Sequence, residues 1–173
     1  MSIPRHLALE TIGAKVTLIQ EPQEAWSSII NKQPAYSHTY HSVPMGIVNV
    51  GTTGDAIKVD LNFSAASTAS EFAIAVRAST DSAEQTLVGY DFVNKQTFAS
   101  VYRGPLKPDV NNNVQLSIFV DRSRVEVFGG LGETTLTAQI FPSSDAIHTH
   151  LVSTGGATKG VNVKIYNITS TWK

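Results

Sequence analysis

The residues best suited to chemistry lie on a predicted β-hairpin at 114–129. A two-residue turn at Arg122-Ser123 sets Phe119 opposite Glu126 and Val120 opposite Val125. Because directly opposed residues share a face of a sheet, one face of the hairpin is predicted to be apolar core. The other face combines carboxylates, guanidinium and aromatic rings, and it consists of Ser117, Phe119, Asp121, Arg124, Glu126 and Phe128.

Two carboxylates on one hairpin suggest the general acid/base pair that glycosidases use. Asp121 and Glu126 are the candidates. A structural interpretation stands beside this one, since Arg124 lies on the same hairpin and such carboxylates usually pair with arginine. The pattern favours the ion pair, so we predict no catalytic residues here.

A second polar pattern lies on the strand predicted at 71–77. Its non-core face places Glu71 and Arg77 at the two ends of a floor made by Ala73 and Ala75. Small residues between polar ones leave room for a sugar, with the guanidinium donating to hydroxyls and the carboxylate accepting from them. The alternative is a solvated outer face with ion pairs, which the pattern alone favours.

Two histidine pairs have spacings that a metal site can use. His148 and His150 share one face of a predicted strand, and His38 and His41 form a looser pair. No third ligand follows at a fixed spacing, so we predict neither a metal site nor a cofactor. The glycines at 129–132 lead into a strand instead of a helix, and therefore predict a turn and not a phosphate loop.

Apolar and polar residues alternate with period two along most of the chain, which is typical of β-strands. The only helix predicted is a short one at 23–31. We expect strands at 5–11, 14–20, 35–43, 57–63, 71–77, 85–93, 97–103, 114–121, 124–129, 134–141, 146–153 and 160–170. Many short strands with turn residues between them predict an all-β protein, a two-sheet antiparallel β-sandwich forming a single domain at 3–173.

The composition excludes several other classes of protein. The 173 residues include 13 Lys and Arg against 14 Asp and Glu, a net charge of −1, which gives no electrostatic basis for binding nucleic acid or an anionic membrane. The chain has no cysteine, which excludes a disulfide scaffold, a thiol nucleophile and a cysteine zinc site. No apolar run approaches the ~18 residues of a membrane span.

Two sequons bear on where the protein works. They make Asn62 and Asn167 candidate N-glycosylation sites, which would suit a secreted protein. The first residues, 1–6, lack the apolar core of a signal peptide. Taken alone, these observations allow either an intracellular protein or a piece of a longer one whose leader lies upstream.

The segment 117–128, SIFVDRSRVEVF, resembles the carboxy-terminal β-sandwich of glycoside hydrolase family 32, the invertases, inulinases and levanases. Its continuation at 132–142, GETTLTAQIFP, is most similar to fungal exo-inulinases. The likeness extends to 3–9, 87–91, 101–103 and 169–172, and so to nearly the whole chain. It implies a lectin-like sandwich, a concanavalin-like jelly roll.

The resemblance also implies that this chain is non-catalytic. The family's catalytic residues lie in an amino-terminal five-bladed propeller, in Asn-Asp-Pro, Arg-Asp-Pro and Glu-Cys motifs that this sequence lacks. Retaining hydrolysis needs a carboxylate nucleophile and a separate acid/base. We therefore expect the carboxy-terminal third of a longer, secreted fructan hydrolase, with Met1 as an artificial start.

The related carbohydrate-binding module family 66 binds the terminal fructose of levan, which implies that this domain recognises a terminal fructosyl unit of levan or inulin. We assign the site by predicted face. Hydroxyl-binding residues are expected at Glu71, Arg77, Asp91, Arg103, Asp121 and Glu126, with Tyr90 or Tyr102 stacking on the ring. The affinity is expected to be weak, because few groups would surround one small sugar.

The alternative is a structural domain without a sugar site of its own. It would pack on the propeller, stabilising it or building a dimer, and Phe119 and Phe128 would be exposed interface residues. The expected partners are thus a fructan or fructose oligosaccharide, or the propeller of the parent enzyme. Neither nucleic acid nor a membrane is expected.

Overall fold

The computed structural model describes residues 3–169, which form fourteen strands within that range and a short 3₁₀ helix at Glu24–Ser28. The strands are β1 (Arg5–Ile12), β2 (Lys15–Pro22), β3 (Tyr36–Val43), β4 (Gly46–Thr53), β5 (Ile57–Ser64), β6 (Glu71–Ala78), β7 (Thr86–Asp91), β8 (Gln96–Ala99), β9 (Tyr102–Pro105), β10 (Asn113–Val120), β11 (Arg124–Gly129), β12 (Thr134–Gln139), β13 (His148–Thr154) and β14 (Thr158–Asn167). No helix within residues 3–169 is long and apolar enough to cross a membrane.

Twelve of these strands form two six-stranded antiparallel sheets, which confirms the predicted sandwich. The first sheet has the order β12-β11-β10-β5-β14-β3, and the second has the order β4-β13-β6-β7-β8-β9. The remaining two strands, β1 and β2, pair only with each other and form the amino-terminal hairpin. The non-consecutive neighbours in both sheets mean that distant parts of the chain meet in each layer.

Strict alternation builds the core between the sheets. In β5 every second residue is buried, and in the opposite sheet Phe72, Ile74 and Val76 are fully buried. The ring of Phe63 joins the two layers, since its centroid lies 5.0 Å from that of Phe72 and 6.1 Å from that of Tyr90. These edge-on and tilted contacts are the geometry that aromatic rings prefer in cores.

The predicted hairpin at 114–129 has the register that its turn indicates. Phe119 lies opposite Glu126 and Val120 opposite Val125, and the backbone N–H of Asp121 donates to the carbonyl of Arg124 at 2.9 Å. The face predicted to be core is buried throughout; it comprises Leu116, Ile118, Val120, Val125 and Val127. The hairpin prediction is confirmed.

Three details differ from the sequence prediction. The run at 97–103 forms two strands instead of one, because Ser100 adopts a left-handed conformation (φ 55°) in a tight turn between β8 and β9. Strand β4 was not predicted, since its glycines and Thr52-Thr53 suggest turns. The helix expected at 23–31 is limited to five residues of 3₁₀ helix.

The amino-terminal segment covers part of the outer face of the first sheet. Ile3 and the half-buried Trp26 and Ile30 pack with Ile168 over two aromatic rings of β10 and β11, and together they form a second, smaller hydrophobic cluster. The backbone N–H of Gln20 also donates to the carbonyl of Gly132 at 2.9 Å. A Cβ at Gly132 would lie 2.3 Å from the carbonyl oxygen of Gln20, so this close approach requires glycine.

We predict that Phe63→Ala lowers the free energy of unfolding by about 3–5 kcal/mol, because it removes the ring that joins the two sheets and leaves a cavity. Urea unfolding followed by fluorescence measures the change. Val93→Ala is the control, since Val93 is 75% exposed and its truncation is expected to change stability by less than about 0.5 kcal/mol. Similar losses in the two variants would contradict the prediction.

Candidate functional site

The eight predicted sugar-binding residues do not converge on one place. Asp121 and Glu126 belong to the β10–β11 hairpin of the first sheet. The other six lie on strands of the second sheet; they are Glu71, Arg77, Tyr90, Asp91, Tyr102 and Arg103. The two groups are on opposite layers of the sandwich, so at most one of them can surround a single sugar.

Glu71, Asp91 and Arg103 do come together, on the outer face of the second sheet. Glu71 and Asp91 are direct partners on β6 and β7. Arg103 reaches both, with its guanidinium 3.2 Å from a carboxylate oxygen of Glu71 and 3.7 Å from one of Asp91. The guanidinium lies 4.9 Å from the centre of the Phe98 ring, a cation–π contact that holds it in place.

Local hydrogen bonds fix the Asp91 carboxylate. It accepts the backbone N–H groups of Val93 and Asn94 at 2.9 and 2.8 Å, and the side-chain amide of Asn94 at 2.7 Å. Burial opposes its charged form, but these bonds and the charge of Arg103 hold the pKa of Asp91 below its ordinary value. Asp91 therefore stays ionised and orients Arg103. The side chains of Glu71 and Arg103 are more exposed, so their remaining hydrogen-bonding groups face solvent.

The floor predicted at Ala73 and Ala75 leaves no room for a sugar. Ala73 and Ala75 are 3% and 0% exposed, so neither offers open space to a ligand. Gly89 lies opposite Ala73, and a Cβ there would be 2.0 Å from the carbonyl of Phe72. A ligand can therefore rest on the rim at Glu71 and Arg103 but cannot sink between the strands.

Tyr90 and Tyr102 were expected to stack on a sugar beside this cluster, but neither is placed to do so. Tyr90 is 1% exposed, and its hydroxyl donates to the carbonyl of Leu106 at 3.0 Å inside the core. Tyr102 is half-exposed, but it adjoins Arg103 on β9 and so points to the opposite face of that strand. The aromatic neighbour of the guanidinium is Phe98, which sequence analysis missed because its strand was assigned as one piece with the next.

The structure also places Arg77 differently from the sequence prediction. The prediction set it at the end of the outer face, but β6 bulges there, with Val76 and Arg77 both opposite Thr149. Arg77 adopts a left-handed conformation (φ 50°) and is 3% exposed. Its guanidinium donates to the carbonyls of Ser143 at 3.1 Å and Asp55 at 3.4 Å, so it joins loops instead of facing a ligand.

Glu126 holds the amino-terminal segment and is not free to bind a sugar. It is 2% exposed, and its two oxygens accept the backbone N–H of Ile3 at 2.7 Å and the guanidinium of Arg5 at 3.0 Å. The same guanidinium donates to Thr135 and Thr137 and lies over the ring of Phe128. The expected pairing of Glu126 with Arg124 is thus replaced by a pairing with Arg5.

The remaining expectations for this hairpin also change. Phe119 and Phe128 are 5% and 4% exposed, so the expectation that they form an exposed interface is wrong; the amino-terminal segment covers them. Asp121 is exposed at the turn, where its carboxylate accepts the backbone N–H of Ser123 at 2.8 Å. Its role in the structure is to stabilise that turn.

The histidine pair on β13 is stacked, with ring centroids 6.4 Å apart. His150 is buried, and neither of its ring nitrogens has a hydrogen-bond partner among the described residues. Burial and the neighbouring His148 lower the pKa of His150, so its ring is neutral at physiological pH. Within residues 3–169, no group of three or more potential metal ligands comes together.

The two sequons lie in different settings. Asn62 is half-buried on the central strand β5, between Gln115 and Asn162 of the adjacent strands. Asn167 is exposed at the end of β14. Glycosylation of either residue remains a prediction.

One surface escaped the sequence analysis altogether. Leu7 and Leu9 on β1 and Val16 and Leu18 on β2 share one face of the amino-terminal hairpin and are between 46% and 73% exposed. We call these four residues the hairpin face. Both strands were predicted, and pairing them around Gly13 would have brought the four side chains together, but nothing in the sequence shows that the face is left uncovered.

Comparison with known proteins gives one consistent family. The family model described as the C-terminal domain of glycosyl hydrolases family 32 matches residues 17–167. The extracellular exo-inulinase of Aspergillus awamori is 62% identical over 187 aligned residues, which cover 99% of this chain and 35% of that protein. A levanase of Bacillus subtilis is 32% identical, over 99% of this chain and 27% of the levanase.

A solved structure agrees with these sequence matches. The crystal structure of exo-inulinase from A. awamori superposes with a TM-score of 0.94 at 61% identity, covering 99% of this chain and 36% of that one. The chain therefore spans about a third of the length of the relatives it matches.

We predict that Glu126→Gln loosens the amino-terminal hairpin, because the amide keeps a bond to Ile3 but loses the charge that holds Arg5. A hydrogen bond to a charged group contributes about 1.5–3 kcal/mol, so local opening at 5–22 should rise at least about tenfold. Hydrogen exchange of the hairpin amides measures it. Glu10→Gln, on an exposed carboxylate of the same hairpin, is the matched control, and equal exchange rates in both variants would refute the anchoring role.

Proposed function

The chain belongs to glycosyl hydrolase family 32, as its C-terminal domain, and we propose that it docks onto the amino-terminal part of a secreted fructan hydrolase and stabilises it. The domain itself is a non-catalytic β-sandwich, since the family's catalytic residues lie in the amino-terminal propeller. The relatives named exo-inulinase and levanase support a fructan hydrolase as the parent enzyme. Secretion is inferred from the relatives that are named extracellular.

The hairpin face is the observation that carries this proposal. Four large aliphatic side chains exposed side by side are unusual on a free surface and are typical of a contact surface. An isolated two-stranded hairpin is also only marginally stable, so it gains from packing on both sides. Its other side is already covered, since Ile19 on that side is 2% exposed. Arg5, which binds Glu126, lies at the end of β1 on the same side as the hairpin face.

The position of the hairpin in the family supports the same reading. The C-terminal family model begins at residue 17, inside β2, so β1 lies outside it. The start of the family model thus falls within the hairpin. A face at such a boundary is well placed to meet the neighbouring domain of the parent chain.

We predict that Leu9→Asp with Leu18→Asp destabilises the docked enzyme but not the isolated domain. The test replaces the matching region of A. awamori exo-inulinase by this chain and compares thermal unfolding of the hybrid with that of the domain alone. Two exposed leucines that become buried on docking contribute about 3 kcal/mol or more, so the variant hybrid should unfold several degrees earlier.

The control for this experiment is Val110→Asp, at a fully exposed residue away from the hairpin. It should leave both the hybrid and the domain unchanged. A hybrid whose unfolding temperature does not respond to the hairpin variant would overturn the docking proposal. A loss in the isolated domain would assign the leucines to its own stability instead.

Binding of a terminal fructosyl unit is the second candidate function. It is favoured by the cluster of Glu71, Asp91 and Arg103, which keeps three of the predicted residues within ion-pair distance on an open rim. The carboxylate can accept hydrogen bonds from vicinal hydroxyls, and the guanidinium can donate hydrogen bonds to them. The contact would be shallow, so a weak affinity is expected.

We predict that calorimetric titration with fructose, inulin oligosaccharides and levan oligosaccharides detects weak binding that Arg103→Gln reduces about tenfold or more, since it removes a charged donor. Arg122→Gln is the matched control, because Arg122 pairs with Asp55 at an exposed site on another part of the surface. Sugar binding that is insensitive to Arg103→Gln, or no heat with any of the three sugars, would exclude this rim as the fructosyl site.

A further inference from the structure

We propose that the outer face of the first sheet carries a second, extended binding site, for a neutral oligosaccharide chain. Two cavities of about 770 and 270 Å³ open on this face and share Ser117 and Gly130, so that they form one continuous outer cleft. The larger cavity lies within the size range of about 300–1,000 Å³ that is usual for small-molecule sites. None of the predicted sugar-binding residues lines either cavity.

The larger half of the outer cleft is built on aromatic rings. Trp26 and Ile30 line it from the amino-terminal segment, and Phe119 and Phe128 line it from the sheet. Trp26 is half-buried and meets Phe119 edge to face at 6.3 Å, which fixes the orientation of its indole. A preoriented aromatic ring gives the apolar C–H face of a sugar a large contact area without an ordering cost.

The smaller half is a grid of polar side chains in register across three strands. Gln115, Asn62 and Asn162 are direct partners on β10, β5 and β14, and they form one row. Two residues along, Ser117, Asp60 and Lys164 form a second row of partners. Neighbouring strands are about 4.8 Å apart, so each row offers evenly spaced hydrogen-bonding groups.

The chemistry of these rows fits hydroxyl groups. Each primary amide presents donors and an acceptor side by side, and a sugar hydroxyl is likewise both donor and acceptor. Of the three amides, only that of Asn162 has a side-chain hydrogen bond within the cleft's own sheet, to Thr39 at 3.0 Å. The hydrogen bond of Gln115 to Asp109, at 3.4 Å, is long and exposed.

The charges argue for a neutral ligand. Lys58 is paired with Asp60 at 2.8 Å and lies over the ring of Tyr166, so it is not free to bind an anion. The linings of the two cavities together carry two lysines, Lys58 and Lys164, against three carboxylates, Glu21, Glu24 and Asp60, so the outer cleft has no excess of positive charge. An apolar protein segment is also a poor occupant, because it would leave the row of amides buried without partners.

The test uses ¹⁵N-labelled domain made in bacteria, where Asn62 carries no N-glycan that could fill the outer cleft. A short inulin oligosaccharide and a short levan oligosaccharide are titrated separately, and amide shifts report the site. We expect the residues of the outer cleft to shift with at least one of the two. Gln115→Ala with Asn162→Ala should weaken binding about tenfold or more, since it removes two hydrogen-bonding groups.

Lys159→Ala is the matched control, an exposed polar residue on the same strand as Asn162 but outside the outer cleft. No shifts in the outer cleft with either oligosaccharide, or equal affinity of the double variant and the control, would overturn the proposal. Shifts confined to Glu71 and Arg103 would support the fructosyl rim and refute the cleft. The hairpin variants test docking separately, since none of their residues lines the cleft.

Discussion

The buried carboxylate of Glu126 joins the amino-terminal segment to the sandwich. Its oxygens bind the backbone of Ile3 and the guanidinium of Arg5, more than a hundred residues away in the chain. A buried charge without a partner is costly, so the segment cannot leave without exposing or stranding this carboxylate. Because the segment stays, Phe119 and Phe128 are covered, one wall of the outer cleft is formed and the amino-terminal hairpin is fixed to the sandwich. Each proposed surface on this side of the molecule thus depends on one ion pair.

Much of the fold could be predicted because period-two alternation is a local signal. Alternation along β5 and the turn at Arg122-Ser123 each determine which side chains face the core, and the structure agrees with both. The order of strands within each sheet is a different matter. It depends on which distant strands meet, as β5 and β14 do, and no short window of sequence contains that information. Strand β4 was missed for a related reason, since its glycines suggest turns unless the partner strand β13 is known.

The predicted site failed where a local regularity is broken or a face is covered. Arg77 was placed by alternation, but a bulge rotates it away from the face on which Glu71 lies. Tyr90 was predicted to stack on the sugar that Asp91 binds, but alternation puts these two neighbours on opposite faces of β7, so one of them had to point into the core. Glu126 was assigned to the correct face, and only the amino-terminal segment, which covers that face, makes it inaccessible. Glu71 and Asp91 meet because they are direct partners on the adjacent strands β6 and β7, and Arg103 on β9 reaches them across β8, over the ring of Phe98.

The family model covers only part of the hairpin of β1 and β2, although the relatives match 99% of this chain. The family model starts at residue 17, yet Ile3 and Arg5, which satisfy Glu126, come before it. A domain excised at that boundary would keep both sheets and lose the strand that pairs with β2, together with the partner of a buried charge. A domain exchanged between enzymes must therefore include Ile3 and Arg5, because a border at the start of the family model would divide the hairpin in two.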